Sequence, residues 1–552
     1  MTGPRGSMDG VGVLNAANGG EAPDVWRKTN RADTENGMKK ALAQGVASPA
    51  LKEAWRRLLL TEAGAPLAGD QGVRDSWLAV RANALQGMGQ YEAAWSLWKE
   101  VPASALADKG LAEGWVEAKL LSGQAKDACE VAKARATGGG SQASDWGVAM
   151  AVCQVVAPTT DGGNVAAARL SLQIVEPLLR SKNPALLRVL TAVQEGRPVA
   201  TLSGPTTMVD GFGGAVLAAY PALVGGDIMP RLPDVTLRRL TASEALPVDL
   251  RGRAAVALAR QTSVIADGSA AWALVSATEF NGVMPDAVAV ARGFKDVSAS
   301  ALNEYVQAAL RLGLKDEAVK ALPNLMKAEG LDAAANKNRM QVQLAVKALQ
   351  GKVDDATWDA WMVGQNLEIQ TSVRQAQRTL LAIEAMGVSV PGRVWKQMRD
   401  RSISVSSLVD PAWQRLLADA VRTKDVPSVL ILISDAFAGQ PPAGAVPVVI
   451  GASVEALRAI GMDDIAKRVA MEAILGLPAS HLIPLVREAA PAAVSATQPV
   501  AIGADSLPKE PVSVTTPVSG AIVPGMLPPP RVIPVEKPTI KAPTKPVPPK
   551  VN

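Results

Sequence analysis

The sequence predicts an all-α protein, a degenerate array of helical hairpins (an α-solenoid) between a disordered N-terminus and a proline-rich C-terminal tail. Apolar residues recur at intervals of three and four from about Asp24 to about Leu477, which is typical of amphipathic helices. No stretch shows convincing alternation of apolar and polar residues, so we expect no sheet of more than two short strands. A glycine–alanine spacing that recurs along the chain indicates that the short helices are paired.

The first segment, residues 1–20, contains no continuous apolar run. We therefore expect it to be disordered, and it does not have the pattern of a signal peptide. A first helical-repeat array is expected over residues 24–195. One of its helices begins in "SPALKEAWRRLLLTE", where Ser48 suits the N-cap and Pro49 suits the first helical position.

Four stretches share a spacing that predicts a helical hairpin: "GQYEAA", "GQAKDA", "GLKDEA" and "GMDDIA". Each follows an apolar helical stretch and places an alanine five residues after its glycine. The glycines are Gly89, Gly123, Gly313 and Gly461, and the alanines are Ala94, Ala128, Ala318 and Ala466. Glycine tolerates the positive φ that ends a helix, and alanine lets the next helix pack closely.

The first two copies lie 34 residues apart, and Gly89, Tyr91 and Ala94 match a G-x-Y-x-x-A pattern. This spacing resembles the tetratricopeptide repeat, a helix–turn–helix unit, over about residues 70–160. The resemblance implies stacked hairpins and a curved surface that binds another protein. The later copies match only in glycine and alanine, and their spacings are not multiples of 34. We therefore predict a degenerate array, and an irregular helical protein with chance hairpins is the alternative.

Residues 196–235 are rich in glycine and proline, which disfavour continuous helix. We interpret this segment as an irregular join that can include one short buried helix. It would connect the first array to a second helical-repeat array at residues 236–487. The alternative is a long ordered loop packed on the solenoid.

Residues 491–552 contain 15 of the 39 prolines and no aromatic residue. This composition predicts a disordered, polyproline-like, mildly basic tail. A spacer is the simplest interpretation. A ligand for a proline-binding groove and a weak contact to an acidic surface are the alternatives.

Chemistry-bearing residues are scarce in this chain, which has one histidine, His481, and a net charge of only +5 over 552 residues. A Ser-His-Asp triad or a protein zinc site needs partners for that histidine, and a capping or surface position explains it better. "GFGGA" lacks the lysine of a phosphate loop, and no basic stripe suggests nucleic acid. We expect no enzyme activity, no cofactor, no metal, no nucleic-acid partner and no transmembrane span.

The only two cysteines, Cys129 and Cys153, lie 12 residues before and after Ser141, near the centre of a predicted hairpin loop. Equal distances from the turn place two residues at the same level of an antiparallel helix pair. A disulfide would then be within reach and would indicate an oxidising compartment. A pair of small buried apolar residues is the equally weighted alternative.

Two pairs of tryptophans, three residues apart, each lie on one helical face: Trp95 with Trp98, and Trp358 with Trp361. Packing between helices is the expected role of most tryptophans here. An exposed pair on a concave wall would be a candidate binding surface, because tryptophan is enriched among interface hot spots.

These observations favour a non-enzymatic protein–protein interaction scaffold of a bacterial cell, which binds a partner on its helical-repeat surface. The alternative is a helical envelope structural component, or the non-catalytic superhelical part of a peptidoglycan-active system. The cysteine pair and the tail favour the periplasm or cell envelope, whereas the missing signal peptide favours the cytoplasm. The sequence does not specify the partner or the oligomeric state.

Overall fold

The computed structural model describes residues 8–43, 45–67, 76–101, 106, 109–137, 143–156, 165–199, 209–261, 315–329, 331–401 and 409–476, with six more between 302 and 310. Residues 1–7, Gly313, His481 and the tail at 491–552 lie outside this part of the chain.

The described residues form 21 α-helices and no strand, so the predicted all-α fold is confirmed. The first twelve are α1 (Arg31–Ala43), α2 (Pro49–Leu60), α3 (Trp77–Gly87), α4 (Tyr91–Trp98), α5 (Lys109–Leu121), α6 (Ala125–Thr137), α7 (Ala143–Val156), α8 (Val165–Lys182), α9 (Pro184–Glu195), α10 (Gly211–Ala219), α11 (Asp234–Ala242) and α12 (Val248–Gln261). The others are α13 (Lys315–Lys327), α14 (Ala333–Leu349), α15 (Asp355–Val363), α16 (Gln370–Ala385), α17 (Gly392–Arg401), α18 (Pro411–Arg422), α19 (Val426–Phe437), α20 (Pro447–Ala459) and α21 (Asp463–Leu475). This arrangement is compatible with a helical-repeat protein.

The glycine–alanine spacing marks helix ends, as its physical explanation requires. Gly89, Gly123 and Gly461 have φ of 78°, 86° and 94°. After each glycine, the next backbone N–H donates to a carbonyl five residues back, for example from Gln90 to Leu85 at 3.0 Å. The same closure occurs at two glycines that the sequence analysis did not single out, Gly351 and Gly387. The four alanines, Ala94, Ala128, Ala318 and Ala466, are fully buried.

The N-terminal segment from Met8 to Gly20 is held against α2, so the expected disorder of residues 1–20 is wrong for this part. The backbone N–H groups of Val13 and Leu14 donate to the Leu60 carbonyl at 2.9 and 3.0 Å. The buried guanidinium of Arg81 donates to carbonyls of the same segment. Scattered apolar residues and Arg81, which is distant in the sequence, hold the segment in place. The expectation of disorder was based on the lack of a continuous apolar run, and such a run is not needed for these contacts.

Spatial neighbours do not follow chain order at the start of the array. The helices α1 and α2 pack against α19 and α21, so the first hairpin lies beside the last two. The Trp55 indole Nε1 of α2 donates to the Ser434 hydroxyl of α19 at 3.0 Å. The described helices all belong to one compact unit. The division into arrays at residues 24–195 and 236–487 stays a prediction.

The glycine-rich segment contains the short buried helix α10, which packs on α5, α7 and α9. Its glycines permit close approach, because a Cβ at Gly214 would lie 2.5 Å from the Thr236 Oγ1. The following helix, α11, contacts α4. The segment therefore folds back onto the helices that precede it, and α10 brings a helix N-terminus to their surface.

The two cysteines form a disulfide between α6 and α7, with a Cα–Cα distance of 5.6 Å. Cys153 is buried and Cys129 is half-buried, at matching levels of the hairpin. The bridge closes a loop across a sequence separation of 24 residues.

We expect the double variant Cys129→Ala/Cys153→Ala to lose about 3 kcal/mol of unfolding free energy. In the chain-entropy model, a bridge that closes a loop of this length restricts the unfolded chain and stabilises the folded state by about that amount. Helix content should stay the same, since α6 and α7 are also packed together. Urea denaturation followed by circular dichroism measures both quantities. Two freely reactive thiols in protein purified without reductant would contradict the bridge.

Candidate functional site

A cavity of about 540 Å³ opens between α3, α5, α7, α8, α9 and the start of α10. Its volume falls in the range of small-ligand pockets. Apolar and aromatic residues form much of the wall, including Trp146, Leu178, Leu179 and Phe212. Carboxylates of α5 and of the residue before α10 belong to the polar lining, together with Asn83, Lys182 and Asn183. The cavity therefore combines apolar walls with a small number of acidic groups.

The fold creates this cavity where α10 crosses the array. The helices α3, α5 and α7 each begin a hairpin with the helix that follows, and α10 packs on α5, α7 and α9. Because α10 is only nine residues long, it covers part of this surface and leaves the cavity beside its N-terminus. The backbone N–H groups of that N-terminus attract negatively charged side chains.

Asp210 is the N-cap of α10 and links it to the neighbouring helix. Its Oδ1 accepts a hydrogen bond from the Gly213 N–H at 2.8 Å, and its Oδ2 accepts one from the Asn183 side chain. Asn183 is itself the N-cap of α9, and its Oδ1 accepts from the Leu186 N–H at 3.0 Å. The two helix starts are therefore joined through their capping side chains.

Glu117 of α5 places a second carboxylate at the same helix start. Its Oε1 accepts from the Gly211 N–H at 2.8 Å, and its Oε2 accepts from the Gln86 side chain at 3.0 Å. A Cβ at Gly211 would lie 2.6 Å from the Glu117 Oε1 and 2.7 Å from the Tyr91 ring. Only glycine therefore allows this contact between α10, α5 and α4.

Burial and the neighbouring Asp210 and Glu113 raise the pKa of Glu117 to about 8, although hydrogen bonds from backbone N–H groups oppose the shift. Burial also raises the pKa of Asp210. The pKa of the adjacent Tyr91 is raised by burial and by these carboxylates. Helix capping alone accounts for the positions of the two carboxyl groups. Their raised pKa values at the edge of a cavity also mark a candidate binding site.

A Glu117→Gln variant should flatten the pH dependence of stability. The native pKa of Glu117 lies above its ordinary value, so the contribution of this group to stability is fully present below about pH 4.5 and is lost as pH rises through about 8. One such proton contributes at most about 1.4 kcal/mol per pH unit. Glutamine can still accept the Gly211 hydrogen bond, so stability at low pH should change little. Urea denaturation at several pH values measures the slope.

The matched control for this variant is Glu130→Gln, because Glu130 is exposed on α6, which does not line the cavity. Its slope should equal that of the wild type. A Glu117→Gln protein with the wild-type slope would show that Glu117 is ionised in the native state throughout this pH range.

An exposed apolar ridge on α8 leads to the cavity. It consists of Leu170, Ile174 and Leu178, which we call the α8 ridge. Leu170 and Ile174 are 60% and 72% exposed, and Leu178 is half-buried at the cavity wall. Residues four apart share one helical face, and each step advances about 6 Å along the axis. The ridge and the cavity therefore form one continuous surface.

The four tryptophans that were candidates for an exposed anchor do not form one. Trp98, Trp358 and Trp361 are buried, and the Trp361 Nε1 donates to the Gln341 side chain at 2.6 Å. The prediction of a binding surface is wrong for these three, because their rings fill the space between helices. Trp95 is half-buried, with the Lys119 ammonium 5.1 Å from its ring centroid.

No pattern in the sequence marks the residues that build the cavity as one site. Asn183 before Pro184 and Asp210 before Gly211 have local patterns typical of N-caps. No local pattern identifies Glu117, which lies 94 residues from Gly211. Trp146 lines the cavity as well, and no spacing in the sequence distinguishes it from the other tryptophans.

No protein-family model, no curated protein and no solved structure matches this chain. The resemblance to the tetratricopeptide repeat therefore rests on the helical hairpins and the glycine–alanine spacing. Across the described ranges, no helix is both long and apolar enough to cross a membrane. The same part of the chain holds no group of three or more histidine, cysteine or acidic residues arranged to bind a metal ion.

Proposed function

We propose that this protein is a non-enzymatic scaffold of a bacterial cell, and that it binds another protein on the α8 ridge and the adjoining cavity. The observation that supports this proposal is the exposure of Leu170 and Ile174 on one helical face that continues into a cavity. Large apolar side chains exposed in a row beside a concave site are typical of docking surfaces.

The spacing of the ridge suits a segment that lies along α8. Helix-in-groove and extended-peptide recognition both use apolar anchors placed at regular intervals, followed by a pocket that receives one side chain. Other large exposed apolar residues are present, such as Val363 on α15 at 82% and Leu416 on α18 at 56%. Neither of these lines the cavity. They provide matched controls.

To test the proposal, peptides that bind the wild-type protein are selected from a random display library. We expect the enriched peptides to lose most of their binding to Ile174→Glu, because a charge placed on the ridge disrupts apolar contact. They should keep their binding to Val363→Glu, which adds the same charge at an exposed apolar position on another helix. Peptides that bind Ile174→Glu as well as the wild type would refute this surface.

A location in the periplasm or cell envelope is part of the proposal, and the Cys129–Cys153 bridge supports it. The same bridge favours the second candidate, a helical envelope component or a non-catalytic part of a peptidoglycan-active system. Binding to isolated peptidoglycan sacculi tests this second role. Thiol labelling in intact cells of the native host tests the compartment, and reduced cysteines there would favour the cytoplasm.

A further inference from the structure

We infer that the cavity receives the ammonium or guanidinium group of a lysine or arginine side chain of the partner, while apolar residues beside it in the partner contact the α8 ridge. This inference rests on the proposed function and adds the chemistry of the segment that binds.

The charge of the cavity is the first observation behind this inference. Three acidic residues line it, Glu113, Glu117 and Asp210, and Lys182 is the one basic residue among its lining residues. Lys182 is exposed, whereas Glu117 and Asp210 are mostly shielded from solvent. A cation that enters the cavity would meet two carboxylates whose ionised forms are otherwise disfavoured by burial and mutual repulsion. Charge-assisted hydrogen bonds to carboxylates are among the strongest that proteins form.

Trp146 supplies the second, independent observation. It lines the cavity and is 1% exposed. An aromatic wall suits a cation, because the ring face attracts positive charge.

The apolar wall explains why a side chain fits better than a free amine. Lysine and arginine carry an apolar stem that packs on apolar surface while the charged end reaches a polar group. Leu178 and Phe212 line the same cavity as the carboxylates, and Leu178 also belongs to the α8 ridge. A peptide can therefore use the ridge, the apolar wall and the carboxylates together, whereas a small amine uses only the carboxylates.

The test compares two oriented peptide libraries, one with arginine and one with citrulline at a fixed central position, each with random apolar-rich flanks. Citrulline keeps the shape of arginine and removes its charge. Binding to the full-length protein is measured at about pH 6 and about pH 8.5, on either side of the pKa of Glu117. Arginine amide serves as the small-amine probe.

We expect the arginine library to bind at least about tenfold more tightly than the citrulline library at the higher pH, as a hydrogen bond to a charged group provides. The preference should shrink at the lower pH, where Glu117 must release a proton before it pairs. Glu117→Gln should remove most of the preference without weakening the citrulline library, and Glu130→Gln should leave it unchanged. Arginine amide alone should bind more weakly than the arginine library.

Equal binding of the two libraries to the wild-type protein, with binding still lost in Ile174→Glu, would overturn the cation site and leave the docking surface intact. Binding of arginine amide as tight as that of the arginine library would assign the cavity to a small amine and also overturn the inference. If neither library bound the wild type better than Ile174→Glu, the inference and the proposed function would both fail.

Discussion

Replacing Glu472 by alanine should lower the free energy of unfolding by about 4 kcal/mol, because it removes a buried carboxylate that pairs two distant helices. Glu472 is fully buried on α21. Its Oε1 accepts from the Ala50 N–H at 2.8 Å, and its Oε2 accepts from the Ser48 hydroxyl at 2.5 Å. Ser48 is the N-cap of α2, so Glu472 reinforces the start of a helix 424 positions away.

Arg468 adds to the expected loss. It is 2% exposed, and burial lowers its pKa, which the nearby Glu472 carboxylate helps to restore. Glu472→Ala therefore leaves a buried cation with less compensation. Glu472→Gln should recover part of the stability, because an amide oxygen still accepts a hydrogen bond from Ala50.

Urea denaturation followed by circular dichroism measures these changes. The control is Glu455→Ala on α20, an exposed glutamate whose removal should change stability by less than about 0.5 kcal/mol. A Glu472→Ala protein as stable as this control would mean that the contact between α2 and α21 contributes little to the folded state.

Arg81→Leu should cost a similar amount, about 4 kcal/mol, because one buried guanidinium satisfies four backbone carbonyls. Its Nη1 donates to the Leu59 and Thr61 carbonyls at 3.1 and 2.9 Å. Its Nη2 donates to Asp9 at 3.1 Å and to Val11. Removing the guanidinium leaves these four carbonyls without its hydrogen bonds, both at the C-terminal end of α2 and in the N-terminal segment.

Burial lowers the pKa of Arg81 to about 10, so it remains a cation at neutral pH. Arg81→Lys should recover only part of the loss, because a single ammonium cannot reach all four carbonyls. The control is Arg399→Leu, whose side chain is 76% exposed and pairs with the adjacent Asp400. Hydrogen exchange should show faster exchange at Val13 and Leu14 in Arg81→Leu, and unchanged exchange there would contradict the role of Arg81.

Local patterns in the sequence correctly predicted the helix ends at Gly89, Gly123 and Gly461 and the start of α2 at Ser48. Gly89, Gly123 and Gly461 have a positive φ because glycine adopts this conformation without steric cost. Ala94 is buried because its position in the helix faces the preceding helix. Both depend on neighbours within one hairpin, so the sequence alone contains the signal.

Long-range contacts could not be predicted in this way. The tryptophan pair Trp358 and Trp361 was recognised as sharing a face, but the helices that cover that face are known only from the fold. The cavity could not be predicted for the same reason. Glu117 lies on α5 and Asp210 caps α10, and the two residues meet only where α10 packs on α5. Each residue taken alone has the pattern of an ordinary helical or capping residue.

The packing of α2 against α19 and α21 has a consequence for the order in which the protein is made. At about 5–20 residues per second, α21 leaves the ribosome roughly 20–80 s after α2. For most of that interval Trp55 lacks Ser434, and for all of it the start of α2 lacks the Glu472 carboxylate. The nascent chain therefore exposes an apolar face of α2 until α21 is made, and this face is a binding site for chaperones that recognise exposed apolar segments.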